Sequence, residues 1–598
     1  MGKYTDEKNS QIVLALLKAH GIRKIVVSPG STNIPIAGSV QNDPFFEVYS
    51  SVDERSAAYI ACGLSEKTGE AVALSCTGAT ASRNYLPGLT EAYYRKLPVI
   101  AITSFTGNDK VGHLVPQIID RNVLPNDASK LSVQLPFIKD DQDEWHCNVL
   151  VNKALNKAFA DGGGPVHINL PSSYTGVFDA DELPPQRAIQ NLNRLECWPD
   201  ISVKKIAIFI GSHRRFTQEE VNAIETFCAS RNAVVACDHT SSYNGDFRIQ
   251  PALIAANFRS PTQKWRSLLP DLVIHIGEVS GDYYGSRLLQ EAREVWRVSA
   301  DGELRDMGKN LRYIFHGNIV DFFGRFQSGE TKNRFHGDWQ SCDAALRQQF
   351  PDFPFSNIWI ASHIIPDLPD GTNVYLGILN SLRSWNFFDI PTGVTTSSNV
   401  GGFGIDGCLS TALGGALATP HKINLVILGD LAFFYDINSI GNRHISGNIR
   451  IILINNGCGA EFNNSSHIAS KYPNGPNRLI AAGGHFNSGE AGTEEILPVS
   501  QRKETSLAKA WCEANGFKYA AAITKQEFLD LKDILLEQGT NTPVIIECFT
   551  NIADESRALE MITSIDPTSY DRAIIVAKKV LSPKLKLQVK KMFKKISR

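Results

Sequence analysis

The chain has 598 residues, with 60 Lys and Arg against 62 Asp and Glu, 43% hydrophobic residues and 20% charged ones. This is the composition of a globular chain with a large core, about three to five domains long, and it excludes an intrinsically disordered protein. A formal charge of −2 leaves no whole-chain basic footprint for nucleic acid.

The N-terminus, Met1 to Lys8, is charged with no apolar run behind it, so no secretory signal is expected there. From there helix-like and strand-like segments alternate. Gln11–Ala19 has amphipathic helical spacing, and Lys24–Ser28 is a short buried strand ending at Pro29-Gly30. Phe46–Val52 is strand-like, Glu54–Glu66 is Ala-rich and helical, and Ala71–Ser75, Val99–Thr103 and Val166–Leu170 are further apolar strands. Such alternation predicts a parallel sheet covered on both faces. Residues 176–200, with Pro184-Pro185 and Pro199, have linker composition.

A second series follows, with Ile206–Ile210, Ala233–Ala236 and Leu272–Ile276 as its clearest strands. Gly211 and Gly277 close two of them. A lone Gly after a strand is a weak nucleotide signal, no GxGxxG is present, and a structural middle domain is the expectation. A third series contains Val374–Leu376, Leu425–Leu428, Ile451–Ile454 and Val544–Glu547, with a helix expected over Phe433–Arg443. The first and third series are similar in size, which points to an old duplication. Nowhere does an apolar run reach the roughly 18 residues of a membrane span. The 11 cysteines form no CxxC pair, which argues against zinc or dithiol chemistry and fits a reducing cytoplasm.

Residues 574–598 break the pattern with nine Lys and Arg and no acid. The remainder then has 51 bases against 62 acids, so the near-neutral total conceals an acidic body and a basic end. From Ser582-Pro583 onward the end has the pattern of a short amphipathic basic helix able to meet an anionic membrane surface, with a solvated tail as the plainer reading.

The most informative pattern is Gly429-Asp430 followed by Asn455-Asn456. Each pair closes a strand, and in a parallel sheet such strand ends adjoin at the edge where ligands bind. An Asp carboxylate, an Asn amide oxygen and a backbone carbonyl form a hard oxygen set suited to Mg²⁺ holding a diphosphate, and Gly429 allows close backbone approach. By itself the pattern also describes an ordinary turn and a strand-end Asn pair.

With its wider context the chain resembles the thiamin-diphosphate (ThDP) enzyme superfamily, and within it the menaquinone-pathway SEPHCHC synthase family. The likeness covers about residues 5–555. It rests on Ser28-Pro29-Gly30-Ser31, Asp53-Glu54-Arg55, Gly164–Pro171, Gly285–Gln290, Gly404-Ile405-Asp406-Gly407 with Ser410–Gly414, and Gly429-Asp430-Leu431. The resemblance implies an α/β chain of three doubly wound parallel-sheet domains: a pyrimidine-binding domain over 1–178, a middle domain without an evident cofactor over 200–345 and a diphosphate-binding domain over 355–560. The basic amphipathic tail over 572–598 lies beyond it.

The resemblance also assigns roles. Glu54 matches the carboxyl that bonds the cofactor's pyrimidine ring, where its plain alternative is a helix N-terminal carboxylate. Asp430, Asn456 and the Cys458 carbonyl match the metal ligands. Ile405 matches the bulky residue under the bent cofactor, with a core Ile as the alternative. Ser31, Thr77, Gly402, Gly404 and Gly429 match further cofactor contacts, and Phe462 an aromatic of the reaction cavity or, equally, a core Phe. Gln117 matches a cavity residue. His113 nearby is a candidate for proton transfer, against a structural histidine.

The chain departs from the synthases where they hold substrate carboxylates. Thr32 and Val400 stand where they have Arg, Ser286-Arg287 where they have Lys-Arg, and Trp385 where they have another Arg. This argues against a tricarboxylate acceptor. Arg287, Ser381 and Arg383 remain as candidate contacts for one or two acidic groups, with salt bridges as their alternative.

The expectation is a cytoplasmic ThDP- and Mg²⁺-dependent decarboxylase or carboligase that takes a 2-oxo acid and passes its acyl-carbanion equivalent to a proton or a second polar acceptor. A homodimer or homotetramer with the cofactor between subunits is implied, with no nucleic acid partner and with peripheral membrane contact through the tail. A true SEPHCHC synthase joining 2-oxoglutarate to isochorismate is the alternative enzyme. A non-catalytic ThDP-fold scaffold at a membrane is the alternative of another class.

Overall fold

The computed structural model describes residues 3–121, 123–201, 205–258, 262–326, 333–464, 467–472, 480 and 498–565. The basic tail lies outside the described residues. The chain groups into two compact units, Met1–Asp200 with Ala300–His316, and Ile201–Ser299 with Gly317–Arg598.

The first unit is built on a six-stranded parallel sheet: β1 (Lys24–Val27), β2 (Glu47–Ser50), β3 (Val72–Thr77), β4 (Val99–Phe105), β5 (Ser132–Gln134) and β6 (Val166–Pro171), in the order β2-β1-β3-β4-β6-β5. Successive residues of a strand face opposite sides, and both sides are apolar here. Ile25, Ala73, Ile100 and Ile102 join one core with Ile12, Val13, Leu14, Leu16 and Leu17, and Val26, Leu74 and Ala101 join another with Ala57, Ala58 and Ala61. Burial on both faces explains why these strands are continuous apolar runs.

The second unit contains two parallel sheets. One holds β7 (Ile206–Ile210), β8 (Ala233–Cys237), β9 (Arg248–Ile249), β10 (Leu272–Ile276) and β11 (Glu294–Ser299), in the order β9-β8-β7-β10-β11. The other holds β12 (Asn373–Leu376), β13 (Thr395–Ser397), β14 (Asn424–Gly429), β15 (Ile449–Asn455), β16 (Lys518–Ala522) and β17 (Val544–Phe549), in the order β13-β12-β14-β15-β17-β16. Counted from its own first strand, that order is the same as in the first unit, as the similar size of the two series suggested. The α/β expectation therefore holds: parallel sheets flanked by helices.

Some edge strands escaped the sequence reading. Ser132–Gln134, Thr395–Ser397 and Lys518–Ala522 are short, partly exposed and polar or Ala-rich, so no apolar run marks them. The helix expected over Phe433–Arg443 is also corrected. The structure has a helix Asp430–Tyr435 and then a 3-10 turn Ile437–Gly441. Asp436 breaks it, because its carboxylate serves other partners: it accepts from the Ser410 N–H at 2.7 Å, the Ser410 hydroxyl at 2.6 Å and the Ser439 hydroxyl at 2.6 Å. Among the described residues no helix is long and apolar enough to cross a membrane.

Candidate active site

In the first unit the candidate residues follow the carboxyl ends of β1, β2 and β3. Gly30 passes so close to Thr77 that a Cβ on it would lie 2.8 Å from the Thr77 side chain. Ser31, exposed, opens the turn Ser31–Asn33. Thr32 bonds to the Thr77 hydroxyl and donates to the Ser104 carbonyl at 2.8 Å. Glu54 begins the helix Glu54–Thr68, whose N-cap is Asp53, accepting from the Arg55 and Ser56 N–H groups. It is half-buried, and its Oε2 accepts from Asn84 Nδ2 at 3.2 Å. The cap fixes the backbone without engaging Glu54, which leaves that carboxylate to reach outward.

In the second unit, β14 and β15 run side by side with Gly429 opposite Ile454. Asp430, 2% exposed, starts the next helix, and its Oδ2 accepts from the Gly457 N–H at 2.7 Å. One hydrogen bond therefore ties the two strand ends together and brings Asp430 beside Asn456 and Cys458. The Asn456 Oδ1 accepts from the Cys458 N–H at 3.2 Å. Burial, with the Asp430 charge adding to it, pushes the Cys458 thiol up to about 12; sulfur is a soft donor in any case, and the carbonyl is the hard one. Among the described residues no three His, Cys, Asp or Glu side chains gather around a metal position. The set here is one carboxylate, one amide and one carbonyl. Those oxygens fit a hard cation such as Mg²⁺ that keeps other positions for phosphate and water.

The Gly-rich loop leads into the helix Cys408–Ala418. A Cβ on Gly401 or Gly402 would meet nothing within 4 Å, whereas Ile405 packs against the core of the third sheet. Gly429 is open on its Cβ side, with its nearest neighbour, the Ile454 carbonyl oxygen, 4.0 Å away. Phe462 lies in the turn Ala460–Asn463 and meets His467 edge-on, with ring centroids 5.0 Å apart.

A family model for thiamine pyrophosphate enzymes, the N-terminal TPP binding domain, matches residues 8–124. The chain is 30% identical over 578 residues to the 2-succinyl-5-enolpyruvyl-6-hydroxy-3-cyclohexene-1-carboxylate synthase of Bacteroides thetaiotaomicron, covering 93% of this chain and 98% of that one. The synthase of the same name from Phocaeicola vulgatus is 29% identical over 564 residues, covering 92% and 96%. That from Desulfotalea psychrophila is 30% identical over 465 residues, covering 74% and 84%. The chain belongs to the thiamin-diphosphate enzyme superfamily.

The structure also gives the surroundings of the other candidate residues of this ThDP enzyme. Arg287 donates to the Ala255 and Phe258 carbonyls at 2.8 and 2.9 Å, pairs with Glu291 at 2.7 Å and lies over the Trp265 ring. These are the salt-bridge surroundings that stood as the alternative to a substrate contact. Arg383 pairs with Glu461 at 2.6 Å, so it too already has a carboxylate. Ser381 is buried and accepts from Asn357 Nδ2 at 3.4 Å. His113 and Gln117 lie exposed on the long loop after β4, Gln117 with φ +64°. Among the described residues no side-chain hydrogen bond or ring contact joins either of them to Glu54.

Gly211 and Gly277, weak nucleotide signals in the sequence, let two strand-end loops touch. A Cβ on Gly211 would lie 2.0 Å from the Glu278 carbonyl oxygen, and Gly277 holds φ +79°. A crevice of about 410 Å³ lies beside them, bordered by Ser212, Thr240 and Thr396.

Sequence reasoning missed the residues that brace the site. Asp436 anchors the first turn of the helix after the Gly-rich loop through Ser410. Asn455 is held from two sides: it donates to Glu547 Oε1 at 2.6 Å and accepts from Arg502 at 2.7 Å. A lone acid inside the apolar run Val544–Phe549 was the available signal for Glu547.

Proposed function

We propose that the chain is a ThDP- and Mg²⁺-dependent decarboxylase or carboligase, acting on a 2-oxo acid and passing the acyl-carbanion equivalent to a proton or a second polar acceptor. The observation behind this reading is the hydrogen bond from Gly457 to Asp430, which sets a buried carboxylate beside Asn456 and Cys458 at adjoining strand ends. Asp430, Asn456 and the Cys458 carbonyl would hold the metal and, through it, the diphosphate. The open glycines 401 and 402 leave space for a ring, with Ile405 beneath it. Bound there, ThDP supplies a carbon nucleophile and an electron sink for the loss of CO₂. Glu54 then holds a proton against the ring, and its freedom from the Asp53 cap suits that task.

The site is shared between two copies in this proposal, Glu54 from one and Asp430 from the other, in a cytoplasmic homodimer or homotetramer without nucleic acid. The test is a panel of 2-oxo acids assayed for CO₂ release with ThDP and Mg²⁺ present. Release from at least one is expected, and release from none would sink the reading.

A second reading has support from the relatives. They are named as synthases of the cyclohexene carboxylate, and the alignment with the Bacteroides enzyme covers 98% of it. On that reading 2-oxoglutarate and isochorismate are joined, and robust product from that pair would replace the first reading. Thr32, Val400 and Trp385 at the family's Arg positions weigh against it.

A further inference from the structure

Beside the Gly-rich loop stands a cluster of charged and aromatic side chains to which the proposed chemistry gives no part. Arg383 enters it from the short helix Asn380–Trp385 after β12, and its side chain is 8% exposed. Glu461, from the turn just past Asn456 and Cys458, meets it with both carboxylate oxygens, at 2.6 and 3.1 Å. The Tyr283 ring covers the guanidinium, 5.3 Å from centroid to carbon, and meets Phe403 of the Gly-rich loop edge-on at 6.0 Å. Phe403 holds φ +54°, a backbone that a bulky residue adopts only where its surroundings impose it. Another side of Arg383 borders a cavity of about 20 Å³ that Asn380, Ala460 and Glu555 also line, room for a water and not for a carboxylate.

A guanidinium offers a planar fork that matches one carboxylate bidentately. In this chain that fork is filled from within. An arriving carboxylate would have to displace Glu461 and leave it unpaired in a poorly solvated place, or stand beside it and be repelled. We infer that Glu461 sets the charge class of the donor. By occupying Arg383 it makes the site accept a 2-oxo acid whose tail is uncharged and reject a 2-oxo dicarboxylate. The inference rests on the 2-oxo-acid reading above and adds to it the substrate class.

Two unreactive analogues that differ in a terminal carboxylate, 2-hydroxybutyrate and 2-hydroxyglutarate, test it by calorimetry on the protein loaded with ThDP and Mg²⁺. The wild type should bind the monoacid more tightly. In Glu461→Gln the fork loses its internal anion, and affinity for 2-hydroxyglutarate relative to 2-hydroxybutyrate should rise by about tenfold or more, as a new charged hydrogen bond implies. Taking the ratio within one protein cancels any loss of folded material. The double variant E461Q/R383Q should lose the gain. An unchanged ratio in E461Q, a gain that persists without Arg383, tighter diacid binding by the wild type, or no diacid binding by either protein would overturn the inference. Failure of the 2-oxo acid panel to release CO₂ would instead refute the proposed function, and the binding ratios would still decide the role of Glu461.

Discussion

Glu54 and Asp430 show how a carboxylate's neighbours define its use. Glu54 follows an Asp that already caps the helix, so its own side chain makes a single long bond, to Asn84. Glu54→Gln keeps the shape and removes the titrating proton. CO₂ release should fall by about 10²- to 10⁴-fold, the usual worth of general acid–base catalysis, while calorimetry still shows ThDP binding. Unchanged function in that variant would favour the non-catalytic scaffold instead. Asp430 is the converse case, buried and tied to the next strand end. Asp430→Ala should weaken Mg²⁺-dependent ThDP binding by more than about tenfold, since even outer-shell changes reach that size. Excess chelator on the wild type should give the same loss, and ThDP affinity indifferent to both treatments would count against the metal site.

At the scale of elements, strands are joined by buried polar residues as well as by their ladders. His167 of β6 sits between the Thr103 hydroxyl of β4 at 2.7 Å and the Ser132 hydroxyl of β5 at 2.8 Å. Burial, with the Arg121 charge as a smaller push, takes its imidazole down to about 3. Below its ordinary value near 6.5 the unfolded chain therefore binds a proton that the fold refuses, and stability falls as pH falls. His20 and His239, both taken down to about 4, act in the same direction. Each costs up to about 1.4 kcal/mol per pH unit in that window. Urea midpoints measured between pH 7.5 and 5.5 should decline, and His167→Gln should make the decline shallower; parallel profiles would refute the assignment. Glu547 of β17 has a comparable joining role, accepting from Asn455, Ser506 and Tyr519. The central strands were legible because a two-faced buried strand must be an apolar run, and Asp430 and Asn456 because they close two such runs. Glu461, Asp436 and the edge strands β5, β13 and β16 were not. A carboxylate in a turn has no periodicity, and its partners at 383 and 410 lie far away in sequence. Nor were the acids beside Arg287 and Arg383 legible, since a lone Arg in a sequence does not reveal its partner.

At the scale of the whole molecule, the first and third sheets share one strand order, yet the residues placed on them are complementary: Glu54 on one, the hard-oxygen set on the other. The surface around Glu54 suggests how the two are used. Val48, Tyr49 and Val52 precede it and Tyr59 and Ile60 follow it, all exposed, Val52 at 84%. Single exposed apolar residues are ordinary, but five within thirteen positions beside a candidate catalytic carboxylate have the character of an interface. If that surface meets a second copy, sedimentation should give at least twice the 65.8 kDa mass of the chain at micromolar concentration. Tyr59→Asp with Ile60→Asp should shift the population toward single chains, because two charges would be buried without partners. Activity should fall with the dimer fraction while Glu54 and Asp430 remain intact, if the site is shared between two copies as proposed. A single-chain species that retains full ThDP-dependent turnover would show instead that one copy completes the site alone.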